Sequence, residues 1–211
     1  MLNYRLMKLI DFDPVLDLLA DMFAAHAPME LALGITADQF RTMAEFEMAP
    51  LIKEGLSVVA HDPDDGTLVA VIIAQDAATP EPEGPSPTTS KYRPIGQLIN
   101  PLHHACLERF SRYNGKLHYM FVVGIRTEYQ GRGLLKTLTN ETLKVAAKRG
   151  FEQSFAIATT QGAHHSLQRL GFEMTAQTQY QDFVYQGQRP FLSIADHGGA
   201  TVMVRACAIG R

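Results

Sequence analysis

The chain has 211 residues, 46% of them hydrophobic and 19% charged, with eleven Phe, seven Tyr and no Trp, which is too rich in core formers for a disordered chain and slightly short for two domains. A net charge of -3 without any run of Lys or Arg excludes the electrostatic footprint of a nucleic-acid binder. The longest apolar run, Leu117 to Ile125, contains His118 and is far below the roughly 20 residues that span a bilayer, and the first residues lack the zones of a signal peptide, so a cytosolic protein of one domain, 1–211, is expected.

Tyr4 to Leu9 reads as a first strand, and Asp13-Pro14 offers the N-cap and first-turn proline of a helix with Val15, Leu18, Leu19 and Met22 on one face. After the breaker Ala27-Pro28 and a turn at Gly34, Thr36 can cap a second helix from Ala37 to about Glu54, stopped by Gly55. Ser57 to Ala60 and Leu68 to Ala74 are β-branched runs joined by Asp62-Pro63-Asp64-Asp65-Gly66, the signature of an antiparallel hairpin. Residues 77–96 hold five prolines and no apolar period, and read as a long loop that could form a flap. A helix from about Leu98 to Tyr113 ends at Asn114-Gly115, and the most apolar strand, Leu117 to Ile125, belongs at the centre of a sheet. Leu135, Leu138, Thr142 and Val145 then recur at helical spacing as far as Gly150. Phe155 to Ala158 is a strand, Ala163 to Leu170 a short helix ended by Gly171, and Glu173 to Gln179 and Ala200 to Ala206 are further strands.

The informative feature is a buried strand that runs into Gln130-Gly131-Arg132-Gly133-Leu134-Leu135 and at once into a helix. Such a turn leaves the first helical N–H groups unpaired, gathers the positive end of the helix dipole, and admits a polyanion where glycine has no side chain. Gly-Arg-Gly alone fits a plain tight turn equally well, and Arg132 fits a phosphate contact or open solvent. The Walker and dinucleotide fingerprints are absent, since neither Gly-Lys-Ser/Thr nor Gly-x-Gly-x-x-Gly occurs here. Cys106 and Cys207 show neither metal nor disulfide spacing and read as buried thiols, while His103-His104 and His164-His165 lack metal spacing, so no metal is expected.

With its flanks, the stretch Ile125 to Leu135 resembles the coenzyme signature of GNAT acyltransferases, Arg/Gln-x-x-Gly-x-Gly/Ala after a hydrophobic strand, with Leu135 departing at the last position. About 35 residues on, Leu170-Gly171-Phe172 matches the family's second landmark. The tail Gln179-Tyr180-Gln181-Asp182-Phe183, Gln186-Gly187, Phe191, His197 and Val202-Met203-Val204 is similar to that of insect arylalkylamine N-acetyltransferases. The resemblance implies an α/β fold, with a mixed, mostly antiparallel sheet of about seven strands, helices on both faces, and strands four and five splayed apart. It also implies acetyl-CoA as donor and a small-molecule amine as acceptor. The pantetheine arm would pair with the backbone near Val123, Gly124 and Ile125, and the pyrophosphate would rest on Gln130, Gly131, Arg132, Gly133, Leu134 and Leu135. A homodimer is compatible with the sequence without being required by it.

The insect-type enzymes place a Glu before a Pro as base, with two assisting Ser, and many GNAT enzymes place a Tyr as acid. Here these positions hold Ala27, Thr159 with Ala163, and Leu167. Glu30 and His26, near the lost Glu, and Tyr119 on the fourth strand are the remaining candidates for acid–base work. For each, a plain structural role is also open: a solvated carboxylate, an exposed helix end and a core aromatic respectively. Degenerate coenzyme binding without turnover, or acylation of a protein amine, are the alternatives to small-amine acetylation.

Overall fold

The structure is a computed structural model that describes residues 2–80, 82–83, 90–110 and 116–207. Seven strands form one sheet in the order β1-β2-β3-β4-β5-β7-β6: β1 (Asn3–Leu6), β2 (Val58–His61), β3 (Leu68–Asp76), β4 (Leu117–Ile125), β5 (Gln153–Ala158), β6 (Glu173–Gln179) and β7 (Gly199–Ala206). Every neighbouring pair is antiparallel except β4 and β5. That parallel pair is registered only at Leu117 with Gln153, His118 with Ser154 and Tyr119 with Phe155. Beyond Tyr119 the strands part, which leaves one edge of β4 unpaired as far as Ile125.

Helices cover both faces. On one, α5 (Leu134–Lys148) and α6 (Gln161–Arg169) bury Leu138, Leu143 and Leu167 against Val69, Met120 and Ala156. On the other, α1 (Phe12–His26) and α3 (Ala37–Met48) pack Leu16, Leu19, Phe40 and Met48 on Val59, Val71 and Val122. The short α2 (Pro28–Ala32) and α4 (Arg93–Phe110) share a third cluster with Tyr119, Phe155 and Tyr180. Gly124 sets the approach of α1 to the sheet, because a Cβ there would stand 2.6 Å from Leu19 Cδ2. No helix among the described residues is long and apolar enough to cross a membrane.

Several element boundaries differ from those expected. The first strand stops at Leu6, and α1 starts from Asp11 rather than Asp13. Asp11 is instead the buried partner of Arg5, joined by two hydrogen bonds of 2.6 and 2.7 Å. Thr36 caps α3 as expected, in a reciprocal box with Gln39. That helix ends at Met48, because Pro50 cannot continue it, and residues 50–54 form a 3₁₀ turn closed by left-handed Gly55. Within the segment 77–96 expected as a loop, Ser90–Tyr92 is a 3₁₀ turn and Arg93 to Gly96 already belong to α4, with Tyr92 and Pro94 buried. Pro94 sits in the helix's first turn, where a missing N–H costs nothing. Glu81 and residues 84–89 of that segment, and the end predicted for α4 at Asn114-Gly115, lie outside the described residues.

Candidate active site

The parting of β4 from β5 opens a cavity of about 890 Å³ that passes from one face of the sheet to the other. On the α5 side its wall includes Val123, Ile125, Gln130, Leu135 and Thr139. On the opposite side it is lined by Met22, Phe23, Met29, Phe40, Met43 and Ile99. A bulge in β4 shapes the passage. Ile73 faces Val122 and Ala74 faces Met120, so Phe121 has no partner on β3. Tyr119, at the last registered pair of β4 and β5, lines the cavity, and its ring stacks on Phe155 at 4.4 Å with the planes 5° apart.

At the cavity's α5 end lies the glycine turn. Gly131 and Gly133 take φ of +73° and +75°, and a Cβ on either would meet nothing within 4 Å. Open space therefore faces the N-terminus of a 15-residue helix whose first N–H groups have no intrahelical acceptor. That combination fits a pyrophosphate. The turn is held from behind: the Tyr129 hydroxyl donates to Asp62 at 2.7 Å, and the Arg132 guanidinium lies 4.9 Å above the Tyr129 ring. The Gln130 amide donates to the Ile125 carbonyl at 3.2 Å, so this strand-four carbonyl already has a partner.

The far chamber is lined mainly by hydrocarbon, with Glu30, Glu47, Tyr92, Arg93 and Asn100 among its polar members, and Tyr180 packs outside the wall. Glu30 is only 7% exposed on α2, and burial raises its pKa to about 7. Its charge in turn raises the pKa of Tyr92 and Tyr180, whose larger cause is again burial. The Tyr180 hydroxyl donates to the Thr159 carbonyl at 2.8 Å. The Tyr92 hydroxyl is buried and has no hydrogen-bond partner among the described residues.

A family model described as the acetyltransferase (GNAT) family matches residues 35–172. The chain belongs to this family. Among solved structures, the GNAT chain is similar to the C-terminal condensation domain of Ebony in complex with β-alanyl-dopamine, at 18% identity and a TM-score of 0.82, covering 98% of this chain and 99% of that one. It is similar to mosquito arylalkylamine N-acetyltransferase like 5b at 20% identity and a TM-score of 0.77, covering 98% and 100%. It also resembles Drosophila melanogaster polyamine N-acetyltransferase, which forms N-acetylagmatine, at 18% identity and a TM-score of 0.70, covering 98% and 100%. At these identities the likeness establishes the fold.

In this GNAT chain the residues singled out from sequence fall into three groups. Glu30, His26, Tyr119, Val123, Ile125, Gln130 and Leu135 line the one cavity. Gly131, Arg132, Gly133 and Leu134 form the turn beside it, outside the wall. Gly124 faces α1 instead. His26 ends α1 and is exposed, and Tyr119 is 5% exposed within an aromatic cluster that raises its pKa by burial. Ala27, Thr159, Ala163 and Leu167, the positions that the sequence resemblance pairs with catalytic groups, all line the same cavity. Sequence reasoning gave no role to Tyr92 or to the Tyr180 hydroxyl. Tyr92 lay in a stretch dominated by prolines, and nothing local marks its burial. Cys106 and Cys207 are buried, and burial pushes both thiols up to about 12. His118 is sealed in the core against Ser154, at 2.8 Å, and its pKa falls to about 3 through burial.

Proposed function

We propose that the protein transfers an acetyl group from acetyl-CoA directly to the amine of a small, largely apolar acceptor. The observation that carries this is the cavity that runs from Gln130 and Leu135, which flank the glycine turn, through the gap in the sheet to the buried Glu30. The pyrophosphate would rest on residues 130–135, with the arm against the free edge of β4 near Val123 to Ile125. Its thioester would then lie near the bulge at Phe121, and the acceptor would reach it from the chamber of Phe23, Phe40 and Met43.

An amine must lose its proton to attack a thioester carbonyl. A base whose pKa is close to the working pH does this best, and Glu30 meets that condition at about 7. The new C–N bond forms as the C–S bond breaks, the amine proton passes to Glu30 or to water, and the departing thiolate takes up a proton from water, so that CoA leaves as the thiol. His26 at the mouth is the second choice for the base. Tyr119 is tested by Tyr119→Phe, which removes the phenol and keeps the stack on Phe155. The arylalkylamine and agmatine acetyltransferases that share the fold support a small amine as acceptor.

Release of free CoA thiol from acetyl-CoA, measured with a panel of primary amines, tests the proposal. Turnover above the amine-free rate is expected with at least one apolar amine. A second reading, coenzyme binding without turnover, is favoured by Leu167, a hydrocarbon side chain in the cavity wall at the position of the relatives' acid. CoA binding with no thiol release for any amine would select it.

A further inference from the structure

The glycine turn is docked on the β2–β3 hairpin, a distant part of the chain. The Arg126 N–H donates to the Val69 carbonyl at 2.9 Å and its Nε to the Leu68 carbonyl at 2.6 Å, which fixes the chain as it leaves β4. Next, the Tyr129 hydroxyl reaches the Asp62 carboxylate. Asp62 is itself immobilised by the hairpin turn: its Oδ1 accepts from the Asp64 N–H at 3.0 Å, its own N–H donates to the Thr67 carbonyl at 2.8 Å, and its carbonyl accepts from the Gly66 N–H at 2.9 Å. Beyond Tyr129, Gly131, Arg132 and Gly133 are exposed, and the two glycines leave this backbone free to wander. Arg132 lies over the Tyr129 ring and forms no ion pair among the described residues, so its charge is left for a ligand.

A carboxylate on this side of the turn can only repel a pyrophosphate. If charge were all that Asp62 contributed, removing it would strengthen coenzyme binding. Its hydrogen bond to Tyr129 acts in the opposite sense, because a loop already ordered in its bound shape loses less conformational freedom when the ligand arrives. We propose that Asp62 is a positioning residue for the coenzyme: through the Tyr129 hydroxyl it holds the glycine turn, and the ring beneath Arg132, in the shape that takes the pyrophosphate. This rests on the turn being the coenzyme cradle of the acyl transfer described above.

Calorimetric titration with CoA alone tests this in Asp62→Ala, Tyr129→Phe and the double variant. Tyr129→Phe keeps the ring beneath Arg132 and removes only the hydroxyl, so it remains decisive if Asp62→Ala fails to fold. Each single variant should bind CoA about tenfold more weakly than the wild type, the effect of one hydrogen bond to a charged group. The double variant should lose no more than either alone, because both changes remove the same link. With acetyl-CoA and an accepted amine, the loss should appear as a higher KM for acetyl-CoA while kcat and the KM of the amine hold, a split that general destabilisation does not produce. Unchanged or tighter CoA binding in a folded single variant overturns the inference, as do losses that add in the double variant or a fall in kcat in place of the rise in KM. If the wild type binds no CoA, the cradle reading fails and the inference with it. CoA binding that depends on Tyr129 in a protein that releases no thiol supports the inference and removes only the acyl transfer.

Discussion

Hydrocarbon around a carboxyl holds its proton on, and for Glu30 this has consequences for both rate and stability. Its folded pKa of about 7 lies above the ordinary 4.5, so folding favours the neutral form. The stability gained is fully present below pH 4.5 and is lost as pH rises through 7. Glu30→Gln removes that dependence. At pH 8 the variant should exceed the wild type by up to roughly 3 kcal/mol, the equivalent of the difference between 4.5 and 7, and near pH 4 the two should be equal. Chemical denaturation at both pH values measures this. As the base, the same residue should give kcat/KM an acid limb near pH 7, and Glu30→Gln should lower the neutral rate by about 10²-fold or more. The loss should recover at higher pH as the amine deprotonates itself. Full activity for both Glu30→Gln and His26→Ala from pH 6 to 9 would leave water or unassisted attack as the account. Sequence brought Glu30 forward through its distance from a lost Glu, but not its environment. Burial at Glu30 comes from tertiary contacts around α2, and no local pattern encodes those.

At the scale of elements, the glycine turn and the caps carry the sharpest tests. Gly133→Asp puts a charge in the cradle and also strains a residue at φ +75°. Gly133→Asn is the matched control, because Asn tolerates the left-handed region and is neutral. The thermal shift caused by CoA should vanish in the Asp variant and persist, reduced, in the Asn variant, and equal shifts in the two would remove the turn from coenzyme binding. Thr36→Ala, which breaks the capping box of α3, should cost about 1 kcal/mol in equilibrium unfolding. Elements with a long period or strong punctuation were readable directly: β4, α5, the hairpin through Asp62 to Gly66, and the strand-turn-helix of the cradle. What escaped is short or proline-bearing. The five residues of α2 make little more than one turn, too few to display a period. In α4, Pro94 in the first turn disguises the start of the helix at Arg93 as loop, while the part from Leu98 through Pro101 reads as helix.

For the molecule as a whole, the proposed function would place donor and acceptor in one cavity, whose described walls contain neither Cys nor Ser to carry the acyl group between them. Both substrates should therefore be bound together when transfer occurs. Initial rates at varied acetyl-CoA and amine should give intersecting double-reciprocal lines, and parallel lines would demand a covalent intermediate instead. The mixed sheet of about seven strands and the site of the gap followed from the resemblance, and the strand order did not, because pairing between distant strands leaves no local trace in a single sequence.

The short seam between β4 and β5 also bears on motion. Three register pairs join them, against seven between β3 and β4 and six between β5 and β7. The sheet thus has a crease, and bending there breaks fewer ladder bonds than at either neighbouring seam. A coenzyme arm laid along the free edge of β4 would act as a missing strand and brace the crease. Amide hydrogen exchange should then be fast at residues 121–125 in the free protein and slow on CoA binding, while β2 and β3, already paired on both sides, change little.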